Sequence, residues 1–230
     1  MVIAAHRALI KFSEILENKG FILVNTEGRK SMFQKENIIS LEWKKRYESQ
    51  PEEIKRELDD LSEAFDDYKV FKEKYQLKVI KRTRKLAKKG DIFVFSPREG
   101  IYFYGLVVKD DVKSDSEYNW YVIMLFKSKT NSLNDINFIP YYNDLLLPPL
   151  IVTRLYWTKG FFYNVGHLDE VNYNISYGFY DVYWNITVDE YDQKINYVPD
   201  YITSAGVMTD IGIAYEVNKE LIINKDLLKF

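Results

Sequence analysis

Residues 88–108 read KKGDIFVFSPREGIYFYGLVV. Asp91 to Phe95 and Ile101 to Val108 are runs of β-branched and aromatic residues. Between them stand Ser96, Pro97, Arg98, Glu99 and Gly100, turn chemistry with one preset φ and one glycine. The stretch predicts a β-hairpin. Gly105 interrupts the second strand, and a glycine in that position marks a bulge or bend at which a sheet curls on itself. We therefore expect a coiled antiparallel wall to begin at Asp91.

Downstream, residues 109–119 (KDDVKSDSEYN) read as a polar acidic loop and residues 120–126 (WYVIMLF) as a buried strand, which makes three consecutive strands. Ile151 to Trp157, Phe161 to Val165, Phe179 to Ile186 and Gly212 to Val217 extend the pattern, with Lys159-Gly160 and Asn218-Lys219 as hairpin tips. Pro140, Pro148 and Pro149 punctuate a segment, residues 141–150, that reads as irregular or as a short helix.

Upstream, residues 78–89 (KVIKRTRKLAKK) hold seven basic residues and no acid, a pattern that can meet phosphates. No glycine or aromatic residue interleaves them, so the run reads as a solvated linker or a lysine-protected strand edge. Before it, Ile54, Leu58, Leu61, Phe65, Tyr68, Phe71 and Tyr75 recur at steps of three and four, which predicts a helix over about residues 51–76 that packs on the same chain. Ser49-Gln50-Pro51-Glu52 reads as its capping box. A helix beginning near Ser40 carries Leu41, Trp43 and Tyr47; another over residues 2–18 carries Leu9, Phe12 and Leu16 and stops at Gly20. Phe21 to Val24 reads as extended and residues 25–28 as a turn.

Two hundred and thirty residues suffice to bury a core without metals or disulfides, and there is no cysteine to supply either thiolates or cross-links. His6 and Arg7 interrupt the N-terminal apolar run, and no run approaches the ~20 residues that cross a bilayer. These features imply a cytoplasmic protein without a membrane partner. Charge is divided: 21 Lys and Arg face 15 Asp and Glu through residue 89, and 11 face 19 thereafter. Sixteen of the 19 tyrosines and three of the four tryptophans lie after Gly90, in keeping with a β-rich second part.

The search for chemistry excludes more than it finds. With only His6 and His167 present, multi-histidine metal sites are ruled out. His167, at the end of a strand, reads as a locally hydrogen-bonded residue rather than an acid/base catalyst. Asp59-Asp60, Asp66-Asp67 and Asp110-Asp111 are adjacent pairs whose side chains diverge, so they read as solvated acids. Phosphate-cradling glycine loops and the Gly-x-Ser-x-Gly elbow are absent. No cofactor is expected.

Two family resemblances remain. Lys89-Gly90-Asp91-Ile92 followed by Arg98 is similar to the start of PemK-like ribonuclease toxins on an SH3-like barrel, which would make Arg98 a stabiliser of charge at a scissile phosphate. The second covers roughly residues 78–185. Lys81, Arg82 and Arg84, then Gly90-Asp91-Ile92-Phe93, then Tyr102-x-Tyr104-Gly105-x-Val107, and further on residues 160–166 (GFFYNVG) resemble the immunity protein 26 family, antidotes encoded beside polymorphic toxins in bacteria. Phenylalanine stands where that family has a tryptophan in the last motif. This resemblance implies a non-catalytic protein that binds and neutralises a cognate toxin.

Together these readings predict an α+β protein. A helical region over residues 1–77 packs on a twisted antiparallel sheet or partly closed SH3-like barrel over residues 78–230. The expected partner is a toxin protein met by a monomer or homodimer, with the exposed acids Asp110, Asp111, Asp115 and Glu117 as candidate contacts; nucleic acid is not expected.

Overall fold

The computed structural model describes residues 37–112, 120–133 and 138–230. The expected helix over 2–18, the extended segment and turn after it, Asp115 and Glu117 lie outside the described residues.

The quoted stretch forms the hairpin. Strand β1 (Asp91–Arg98) pairs antiparallel with β2 (Ile101–Val112), with Phe93 opposite Gly105 and a register irregularity between Phe95 and Arg98. The connection is thus shorter than expected: Ser96, Pro97 and Arg98 belong to the strand, and Glu99-Gly100, with Gly100 at φ +75°, makes the turn. β3 (Trp120–Thr130) continues the meander, and β4 (Leu145–Thr153) and β5 (Tyr163–His167) complete a five-stranded sheet ordered β4-β3-β2-β1-β5. Every pair in it is antiparallel, and register shifts flank Gly105 in the β2–β3 ladder. The sheet is open, with β4 and β5 as its edges.

Coiling into a closed wall is unnecessary because both faces are covered. Alternate residues of the hairpin divide between two apolar clusters. Phe93, Phe95, Phe103 and Val107 join the helices on one face, and Ile92, Val94, Tyr104, Leu106 and Val108 join a second, smaller sheet on the other. That sheet is ordered β7-β6-β8, from β6 (Tyr177–Asp181), β7 (Ile186–Val188) and β8 (Tyr201–Ser204). β8 runs parallel to β6.

Four expectations are corrected here. The prolines of residues 141–150 do not break structure: Pro148 and Pro149 lie in β4, an edge strand, at a register shift between the Ile123–Leu150 and Leu125–Leu147 pairs, where a missing N–H is tolerated. The expected strand Ile151–Trp157 gives way after Thr153 to a short helix α4 (Leu155–Lys159), and Gly160, at φ +86°, is its C-cap rather than a hairpin tip. The expected strand Gly212–Val217 is part of helix α5 (Asp210–Ile223), started by the Thr209 hydroxyl accepting Gly212 N–H. Ile213, Ala214, Val217, Leu221 and Ile222 are buried there, and an apolar run hidden on most sides has no period by which to tell helix from strand. The expected helix 51–76 is two helices, α2 (Glu52–Asp66) and α3 (Tyr68–Lys74). Asp67 takes an extended conformation and its carboxylate accepts Lys69 and Val70 N–H, so capping the second helix outweighs continuing the first.

The preceding helix α1 (Ile38–Glu48) starts at a capping box of Asn37 and Ser40. Ser49 terminates it, donating its hydroxyl to the Arg46 carbonyl, so it does not cap α2, whose N-cap is Pro51. Arg46 makes a two-pronged contact with Glu220 of α5 at 2.5 Å, and Lys219 lies 3.5 Å from the Trp43 ring centroid. A short 3-10 helix (Lys225–Leu228) ends the fold.

Candidate protein-binding surface

Asp110 and Asp111 are not in a loop; they stand exposed near the end of β2, which runs through Val112. One oxygen of Asp110 accepts the N–H of Lys89 at 3.0 Å, and the Asp111 carboxylate accepts the Tyr191 hydroxyl at 3.2 Å. Beside them Lys109 pairs with the buried carboxylate of Glu190 and lies 5.1 Å from the Tyr191 ring centroid. Burial works against the Lys109 charge, but Glu190 outweighs it and holds the pKa above its ordinary value. Burial first, and then the neighbouring carboxylate Asp111, likewise raises that of Tyr191. Asp189 fixes the turn beyond β7, its side chain accepting Tyr191 and Gln193 N–H at 2.9 Å. The two acids are therefore presented on a braced rim.

At the other end of β7 the expected strand Phe179–Ile186 breaks into a knuckle between β6 and β7. Asp181 accepts the N–H groups of Tyr183 at 2.8 Å and Trp184 at 3.1 Å, while Asn185 takes φ +55° and receives the Tyr180 hydroxyl. An Asx turn and a left-handed Asn together hold two aromatic rings out in solvent. Trp184 is 68% exposed and Tyr183 is 52% exposed, with their rings edge to face at 4.9 Å. Sequence reasoning missed them although the signal was there: Asp181 and Asn185 are the turn formers, hidden among strand-forming aromatics. Tyr197 and Val198, exposed on the loop before β8, add apolar surface to the same small sheet.

The residues that raised the question of catalysis are committed to structure. His167 Nδ1 lies 2.9 Å from Asp91 Oδ1; the other Asp91 oxygen accepts Asn164 Nδ2 at 2.7 Å and Lys88 N at 3.0 Å, and Asn164 Oδ1 accepts Trp157 Nε1 at 2.6 Å. This chain ties the start of β1 to β5 and α4. Arg98 donates to the Pro97 carbonyl at 2.8 Å and to Asn218 Oδ1 at 2.7 Å, and burial lowers its pKa. A guanidinium spent on α5 is not poised at a phosphate. Among the described residues no cluster of three or more His, Asp or Glu is arranged to hold a metal, and no helix is long and apolar enough to cross a membrane.

No curated protein and no solved structure matches the chain. A family model does: the one described as Immunity protein 26 matches residues 88–189, a span that starts at the approach to β1 and ends just past β7. Over residues 88–189, then, this chain is similar to the immunity protein 26 family, to which the hairpin and the glycine-aromatic-glycine stretch had pointed.

Proposed function

We propose that this chain is a non-catalytic immunity protein that neutralises a cognate toxin by covering part of its surface. The observation that carries the proposal is the locked knuckle of Tyr183 and Trp184, inside the family-matched span. Tryptophan and tyrosine lead among residues that dominate binding energy, and rings held in place before binding lose little entropy on contact. The rim of Asp110 and Asp111 supplies charge at the far end of β7; Asp115 and Glu117, which follow in the sequence, are further candidate contacts in this proposal. Such a rim speeds encounter with a basic toxin surface, while the aromatic anchors set the lifetime of the complex.

The test is co-expression with the toxin encoded beside it. The native chain protects the cell. Replacing both Tyr183 and Trp184 with alanine removes protection and weakens toxin binding by about thirty-fold or more. Asp110→Ala with Asp111→Ala slows association and flattens its salt dependence. Unimpaired protection by the Tyr183/Trp184 variant would refute the assignment of the surface, and Arg98-dependent cleavage of RNA by the purified chain would refute the non-catalytic reading altogether.

A further inference from the structure

The basic run that reads as a solvated linker is a strap fixed to the body of the protein. Its backbone is tied at intervals: Lys78 N–H to Ser96 O at 2.7 Å, Ile80 N–H to Gly160 O at 2.7 Å, Thr83 N–H to Trp157 O at 3.1 Å, Lys88 N–H to Asp91 at 3.0 Å and Lys89 N–H to Asp110 at 3.0 Å. Gly160 makes the crossing possible. A Cβ there would stand 3.0 Å from both Val79 Cγ1 and Arg82 Cγ, so the strap lies directly on the end of α4.

All seven cations of the strap, Lys78, Lys81, Arg82, Arg84, Lys85, Lys88 and Lys89, are exposed, and none forms an ion pair with a described acid. Along one side of the strap runs a groove of about 700 Å³. Lys78 and Arg82 enter it from the strap, Lys72 from α3 and Lys159 from α4; the one carboxylate in it, Asp210, is held by Lys159 at 2.9 Å. Tyr68 stands at the rim, 57% exposed, with Lys72 at 5.8 Å from its ring centroid. Three elements thus converge four cations and an accessible ring on one concavity.

We infer that this groove binds single-stranded nucleic acid, the cations following successive phosphates and the Tyr68 ring stacking on a base. The strap's backbone holds these exposed cations near one another, and a phosphodiester strand, with one charge per nucleotide, offers a matching row of anions. The combination of a cationic groove and an exposed aromatic platform is what sequence-tolerant strand binding requires. An acidic protein fits less well, since lysine is depleted at the centre of protein interfaces and here it lines the centre. The groove shares no lining residue with the proposed toxin-binding surface, and the strap meets that surface at the Lys89 N–H on Asp110.

The experiment is fluorescence anisotropy with a labelled oligouridylate of about twelve nucleotides. Lys159 is already paired with Asp210, so contacts from Lys72, Lys78 and Arg82 predict a logarithmic salt slope near −2, and affinity falls about twenty-fold between roughly 50 and 200 mM salt. Lys78→Glu with Arg82→Glu weakens binding at least about tenfold and reduces the slope, and Tyr68→Ala weakens it with the slope unchanged. Lys194→Glu, on the loop beside β7 and not among the residues that line the groove, changes nothing. Undetectable binding at low salt would overturn the inference. So would equal affinity in the charge-reversed variant with an unaltered melting temperature, or equally tight binding of polyglutamate or phosphatidylserine vesicles through the same residues.

Discussion

Gly105→Ala tests the hairpin reading at its centre. Phe93 and Gly105 face each other across β1 and β2, and a Cβ at Gly105 would lie 2.2 Å from Phe93 Cζ and 2.4 and 2.8 Å from the two Cε atoms. The ring cannot step aside freely. It is fully buried, stacked on Phe162 at 4.4 Å and set edge-on to Trp157 at 5.4 Å, and Phe162 in turn stacks on Tyr156 at 4.6 Å. Overpacking of this kind costs about 1–3 kcal/mol. Losing a glycine from a strand returns roughly 0.5–1 kcal/mol by narrowing the unfolded ensemble. The clash is with three atoms of an immobile ring, so the upper part of the cost applies and the net is about 2 kcal/mol of destabilisation. For a chain of this size that lowers the thermal midpoint by about 4–8 °C. Urea unfolding at constant slope measures the free energy directly. In a Phe93→Leu background the ring is gone, and Gly105→Ala should cost about 1–2 kcal/mol less than in the native chain. If Gly105→Ala proves neutral or stabilising, or costs the same in both backgrounds, the close approach of Phe93 to the β2 backbone is not what the glycine serves.

Two further outcomes follow from polar ties. Asn218, fully buried in α5, accepts from Arg98 and donates to the Tyr75 carbonyl at 2.8 Å and the Ala214 carbonyl at 2.6 Å; Asn218→Leu leaves the half-buried guanidinium with the Pro97 carbonyl but without its partner on α5, and the Tyr75 carbonyl without this donor, and chemical denaturation should show a loss of about 2–4 kcal/mol, partly restored by adding Arg98→Met. Asp200 accepts the backbone N–H of Ser176 at 2.7 Å and its hydroxyl at 2.8 Å, which together hold its pKa below the ordinary value. Its contribution is therefore present above about pH 4 and lost as pH falls through the lower folded value. Thermal midpoints between about pH 2 and 6 should fall in acid for the native chain and vary less for Asp200→Asn.

Legibility in the sequence followed the strength of periodicity. The hairpin, the third strand and the stripe Leu58, Leu61, Phe71 were readable because alternation or three-four spacing survives wherever an element has one buried side. It failed where both sides are buried or where local capping competes. Helix α5 lies between the sheet and α2, so its sequence is apolar nearly all round and mimics a strand. Asp67 divides a continuous stripe for the sake of two backbone amides, a choice that apolar spacing does not record. The family match was foreshadowed by the glycines, since Gly90, Gly105 and Gly160 each mark a place where backbone or ring approaches within contact of the glycine. Of the proposed binding surface, the acids Asp110 and Asp111 were readable as charge, whereas Tyr183 and Trp184 were not, because whether an aromatic residue fills a core or stands in solvent depends on the turn that carries it.

Polar commitments inside the molecule also decide where its uncommitted groups remain. Asp91, Asn164 and Trp157 are satisfied by one another and by His167, Arg98 and Asn218 close a second network, and Lys109 and Glu190 form a third pair under Tyr191. These groups resemble catalytic residues in sequence but join sheet to helix or sheet to loop, and each would lose its partner if it served a substrate instead. Two exposed sets lie outside these networks, the rings on the β6–β7 knuckle and the cations of the strap, of which Lys81 lies 5.4 Å from the Tyr163 ring centroid. They belong to different layers: the knuckle to the small sheet on one face of the central sheet, the strap to the side of α3 and α4. The strap meets the acidic rim through the Lys89 N–H on Asp110, but that tie is a backbone amide and does not depend on the side chains substituted in either set. A protein that covers a toxin with its aromatic turn should keep doing so after its strap has been reversed in charge, and a strap that holds a nucleic acid strand should do so with both knuckle rings removed.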